Sequence, residues 1–64
     1  MKLYQIPNRS KLKVKTSDGI KDAIFDHPDG LYSYCYLVED ESKIFHLSIL
    51  TPMKKVGDHY EIKE

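Results

Sequence analysis

Turn-forming residues punctuate this chain at short intervals: "PNRS", "SDG", "HPDG", "EDES", "TP" and "GD". Intervals of about eight to twelve residues leave room for strands and little else, the spacing of a small all-β sandwich or barrel. The runs between the turns alternate with period two, and none carries the i, i+3, i+4, i+7 stripe of an amphipathic helix. The expectation is one all-β domain over 1–64, built from five to six short antiparallel strands.

A chain of 64 residues buries only roughly 60% of its unfolded surface, so every apolar side chain counts. Cys35 is the only cysteine. No internal disulfide can form, whereas a secreted domain of this size usually needs one, which points to a reducing, cytoplasmic setting. The start "MKLYQIPNRS" has no apolar h-region, and no window approaches the roughly 18 apolar residues of a membrane span. Neither export nor a membrane contact is expected. Ten Lys or Arg balance ten Asp or Glu, which removes the positive field of a dedicated nucleic-acid binder.

Two hairpins yield a register. An Asp18-Gly19 turn sets Val14 against Ala23 and Leu12 against Phe25 on one face, with Lys15 against Asp22 and Lys11 against Asp26 on the other. Ile24, opposite Lys13, is an apolar misfit on that polar face, as a second contact surface or a barrel corner would produce. A Gly57-Asp58 turn sets Val56 against His59, Lys54 against Glu61 and Met53 against Ile62. Between the hairpins, Thr51-Pro52 interrupts the strand donors, and one turn of 3₁₀-helix is expected near it. "HPDG" reads as a type I turn with Pro28 at its second position and Gly30 at its fourth.

The central hairpin decides where "YSYCY" points, because a one-residue slip exchanges the two faces of a strand. "EDES" offers no Gly or Asn for a bulged three-residue loop, so a four-residue loop from Glu39 to Ser42 is expected, pairing Val38 with Lys43. Tyr32, Tyr34 and Tyr36 then face Ile49, Leu47 and Phe45 as core and core rim. The opposite face carries Leu31, Ser33, Cys35 and Leu37 beside Ile44, His46, Ser48 and Leu50. The binding surface expected from this hairpin comprises Leu31, Leu37, Ile44, His46 and Leu50, with Tyr32, Tyr34 and Tyr36 beside it. The odd register would instead expose the tyrosines as a stacking platform.

Other chemistry is weakly supported. In the even register Cys35 lies opposite His46, the start of a cysteine nucleophile, but no oxyanion-hole segment accompanies it, and an inert structural cysteine is the better reading. His27, His46, His59 and Cys35 lack the close pairs of zinc sites. No catalytic residue, metal or cofactor is expected. Arg9, Lys11, Lys13 and Lys15 form a basic stripe that could meet phosphates, yet Asp22 and Asp26 neutralise it.

The segments "YCYLVEDES" and "KIFHLSIL", the Thr-Pro break and the short last strand resemble the later strands of SH3-like small barrels, in which a 3₁₀ turn precedes the final strand. The pattern "IPN", "DGLYSYC" and "FHLS..TP" also resembles short uncharacterised proteins of tailed bacteriophages. These resemblances imply a small SH3-like β-barrel and a non-enzymatic accessory protein acting in the host cytoplasm by binding a host or phage protein, or a second copy of itself. The familiar peptide-binding SH3 groove uses a tryptophan, and this chain has none. The alternative is a nucleic-acid-binding small barrel using the three tyrosines and the Arg9–Lys15 stripe.

Overall fold

The computed structural model describes residues 1–63. A 3₁₀ turn at Leu3–Gln5 precedes six strands: β1 Ser10–Thr16, β2 Gly19–Asp29, β3 Tyr32–Leu37, β4 Ile44–Phe45, β5 Met53–Val56 and β6 His59–Ile62. The protein is therefore all-β, as the turn spacing and alternation imply. The strands form one sheet in the order β4-β3-β2-β1-β6-β5. That sheet is mixed rather than antiparallel throughout, because β6 runs parallel to β1, with Leu12 beside Tyr60. It is not a closed barrel, since no ladder joins the edge strands β4 and β5 among the described residues. It does curl: Met53 from one edge and Phe45 from the other pack on the same cluster as Leu12, Val14, Ala23 and Phe25.

The N-terminal segment covers part of the inner face. Leu3 and Ile6 are buried in that cluster, and the backbone is tied to the chain returning from β4 by Leu3 N–H to Thr51 O (2.9 Å) and Tyr4 N–H to Ile49 O (3.1 Å). The 3₁₀ turn is thus formed by Leu3–Gln5 and not by the segment at Thr51-Pro52. Around the Thr-Pro break the chain makes a reverse turn instead, closed by Thr51 N–H to Ser48 O (3.0 Å). The Ser48 and Thr51 hydroxyls supply local partners to this turn, an alternative to helix that Ser and Thr side chains favour.

The closing hairpin has the expected register: Val56 with His59, Lys54 with Glu61, Met53 with Ile62. The first hairpin is shifted by two residues, pairing Leu12 with Ala23 and Lys13 with Asp22. Its central turn residues are Ser17 and Asp18, while Gly19 follows them at φ 113°. Asp18 avoids the left-handed region that an Asp-Gly type I′ turn demands, and the Thr16 hydroxyl bridges the turn by accepting from Asp18 N–H and donating to Gly19 O. A two-residue shift keeps the faces, so Leu12, Val14, Ala23 and Phe25 are still the buried set. The opposite face changes partners: Lys13 and Asp22 bond at 2.9 Å, and Arg9 approaches Asp26 at 4.0 Å, replacing the expected Lys15–Asp22 and Lys11–Asp26 pairs.

"HPDG" is not a type I turn. Strand β2 continues through His27 and Pro28 to Asp29, with Gly30 at φ 63° in the turn that follows. Pro28 is tolerated because β1 pairs only as far as Phe25, so no neighbour requires its missing N–H. A bulge between Phe25 and His27 shifts the pairing with β3 there.

Candidate functional site

The register of β3 on β4 overturns the expectation that the tyrosines are core. Cys35 pairs with Phe45 and Tyr36 with Ile44, one residue away from the even register, and a bridge joins Tyr32 to Ser48. Two contacts around the loop cause the slip. Val38 N–H donates to Asp22 O across β2 (3.0 Å), which takes Val38 away from Lys43. The Asp40 carboxylate accepts from Ser42 N–H (3.0 Å) and from its hydroxyl (2.6 Å), an Asx turn that does locally what a left-handed Gly would have done. Leu37 then closes onto Lys43 O (3.2 Å) over an odd number of residues.

Ser33 and Cys35 therefore point inward, both fully buried, and the tyrosines point outward. Tyr32 is 58% exposed, and Tyr34 and Tyr36 are half-buried. Tyr34 is the centre of an aromatic row: the His27 ring stacks on it (5.5 Å, 9°) and the His46 ring meets it edge-on (6.2 Å, 70°). Tyr36 lies between Ile24 on β2 and Ile44 on β4. Ile24, the misfit of the polar face, thus belongs to this outer aromatic surface. The Nδ1 of His27 is 2.6 Å from Asp26, and that of His46 is 2.7 Å from the Ser33 carbonyl, which hold both rings in place.

The other residues expected in one binding surface are divided. Tyr32, Tyr34, Tyr36, Ile44 and His46 share the outer side of the central strands. Leu37 lies on the inner side, packed against the core. Leu31 and Leu50, 74% and 58% exposed, sit in turns at one end of the sheet, joined through Ile49 N–H to Leu31 O (3.0 Å). Among the basic residues, Lys11, Lys13 and Lys15 alternate with the buried Leu12 and Val14 and so share the tyrosines' side of the sheet. Asp22 raises the pKa of Lys13, chiefly by their hydrogen bond, and is itself lowered by it.

Cys35 is not beside His46. Its Sγ is 3.3 Å from Ser33 Oγ, and burial pushes its pKa above the ordinary thiol value, which keeps it protonated and unreactive. Ser33, which the sequence reading did not single out, donates to Leu47 O (2.9 Å) and accepts from Leu47 N–H (3.2 Å). Its hydroxyl replaces the ladder that β4 abandons after Phe45. The only signal in the sequence is a small polar residue at a strand position flanked by tyrosines.

A second concavity opens on the inner face, near the β1–β2 turn and the β3–β4 loop: a cleft of about 700 Å³. Its apolar lining includes Val14, Leu37, Phe45, Leu47 and Ile62; Lys43, Lys54 and Glu61 line it too, as do Lys13 and Lys15, which alternation sets on the outer side of β1 and which border the cleft rather than face it. Among the described residues, no three His, Cys, Asp or Glu side chains gather as a metal set, and no helix is long and apolar enough to cross a membrane. Compared with protein-family models, curated proteins and solved structures, the chain matches none of them.

Proposed function

We propose that this protein is a small non-enzymatic interaction module that receives a partner protein on the outer face of β2, β3 and β4. The observation that carries the reading is the uncovered row His27–Tyr34–His46, bordered by Tyr32, Tyr36, Ile24 and Ile44. Aromatic side chains are enriched where proteins meet, because they offer a large apolar area with a polar edge. The fixed rings lose little freedom on binding. On the residue resemblance alone, the proposal extends to an SH3-like accessory protein of a tailed phage acting in the host cytoplasm.

A second reading, nucleic-acid binding, is favoured by the same register, which sets the tyrosines on the side that carries Lys11 and Lys13. It is weakened by Asp22 and Asp26, which hold Lys13 and Arg9, and by a formal net charge of zero.

One experiment tests both. Wild-type protein and a Tyr34→Ser/Tyr36→Ser variant are immobilised, and host lysate is passed over each at low and high salt. A protein retained by the wild type at both salts and lost from the variant supports the interaction module. Retained nucleic acid that elutes steeply with salt, through counterion release, would replace it with the second reading. Equal retention by the two forms removes the outer face from consideration.

A further inference from the structure

We infer that the inner cleft is a binding site for a small single-chain anionic amphiphile, a carboxylate with a hydrocarbon tail. The cleft of about 700 Å³ falls inside the roughly 300–1,000 Å³ of small-molecule sites. It is an opening into the core side of the curled sheet, because Leu37, Phe45, Leu47 and Ile62 line it and also pack against the buried cluster. A hydrocarbon tail placed there removes apolar surface that the unclosed sheet leaves wet.

The charged lining selects the head group. Among the described residues four lysines, Lys13, Lys15, Lys43 and Lys54, line or border the cleft with one carboxylate, that of Glu61. Asp22 already holds Lys13, Lys15 has an interaction of its own, and Glu61, opposite Lys54 in the β5–β6 ladder, is engaged by His59 Nε2 at 2.7 Å. The head group is assigned chiefly to Lys43 and Lys54, whose exposed side chains come from the two edge regions between which the sheet stays open. An anion between them meets positive charge from both edges. A cationic head group meets repulsion, and a neutral one gains only the burial of its tail.

The test compares three soluble amphiphiles with the same ten-carbon tail and different heads: decanoate, decyl maltoside and decyltrimethylammonium, each kept below micelle formation. Amide shifts of the full chain are followed in 15N-HSQC spectra. The expected result is saturable decanoate binding that shifts Leu37, Phe45, Leu47 and Ile62, at least tenfold tighter than either other amphiphile. In a Lys43→Glu/Lys54→Glu variant that preference falls below threefold, and it also shrinks as salt is added to the wild type. The salt titration needs no variant and stands if the variant folds poorly. Absence of saturable decanoate binding, a preference under tenfold, a preference insensitive to salt, or shifts confined to the tyrosine face would each overturn the assignment. The outer-face reading is untouched by this result, since Tyr34 and Tyr36 do not line the cleft.

Discussion

Along β3 the inward positions Ser33 and Cys35 are fully buried and Leu37, at the loop end, packs on the core, while the outward positions hold Tyr32, Tyr34 and Tyr36, all in contact with solvent. At the first two inward positions side-chain size is the reverse of what a strand with a simple apolar inside would show. The difference comes from curvature. Inside the curl, Cys35 shares one buried cluster with Phe25, Leu12, Leu3 and Met53, where a small group suits its position. Among the described residues the outer side carries no second layer, so bulky rings are accommodated there and lie beside one another. A buried hydroxyl is tolerated inside because Ser33 bonds both polar groups of Leu47, and burial without partners would destabilise.

The comparison can be broken most severely at Phe25, which is fully buried on β2 beside Cys35. Phe25→Ala should lose about 3–5 kcal/mol, comparable with the roughly 3–5 kcal/mol that a core of this size supplies, so urea titration followed by circular dichroism should find little folded protein. A cooperative transition near the wild-type midpoint would mean that the core is elsewhere. Ser33→Ala comes next: two groups of Leu47 lose their partner, at a cost of about 1–3 kcal/mol, and the amide of Leu47 should exchange faster with solvent. No loss would show that this segment does not depend on Ser33.

Cys35 sharpens the contrast through pH. Its pKa is raised in the folded protein by burial, so the folded state holds the thiol proton more tightly than the unfolded chain does. The contribution is complete below the ordinary value of 9.0 and is lost as the pH climbs through the raised one. The urea midpoint should therefore fall on the alkaline side, and Cys35→Ala should show a smaller fall. Equal alkaline slopes in the two proteins would place the thiol in contact with water. The smallest stability effect is expected outside: Tyr32→Ser should change stability by no more than about 0.5 kcal/mol. A loss as large as that of Ser33→Ala would mean that the outer face is also structural.

The two outer hairpins were legible in different degrees. At Gly57-Asp58 the Gly takes φ 63°, the ladder follows from the turn alone, and each expected pair is present. At Asp18-Gly19 the faces are those the alternation implies while the partners differ by two residues, because the Thr16 hydroxyl selects another turn. The candidate surface was partly legible: Tyr32, Tyr34, Tyr36, Ile44 and His46 do lie together, on the side opposite to the one expected for the tyrosines. Ile24 was visible as an apolar misfit, and its place beside Tyr36 supplies the reason. The sequence places His27 in a turn, since its stacking on Tyr34 depends on a bulge that no local pattern announces.

By itself the sequence determined the all-β character, the positions of most turns and the sorting of β1 and β2 into a core side and a charged side. Each of these rests on neighbours a few residues apart, through φ preference, side-chain alternation and local hydrogen bonds. The tertiary structure decided the parity of the central hairpin, the parallel β1–β6 contact and the plug formed by Leu3 and Ile6. Those depend on partners remote in the chain: Val38 on Asp22 O, Leu12 beside Tyr60, Leu3 on Thr51 O. Alternation makes every second residue equivalent and says nothing about which of the two sets faces in. For β3 that choice follows the odd loop held by Val38 on Asp22 O, which turns Ser33, Cys35 and Leu37 in and the tyrosines out.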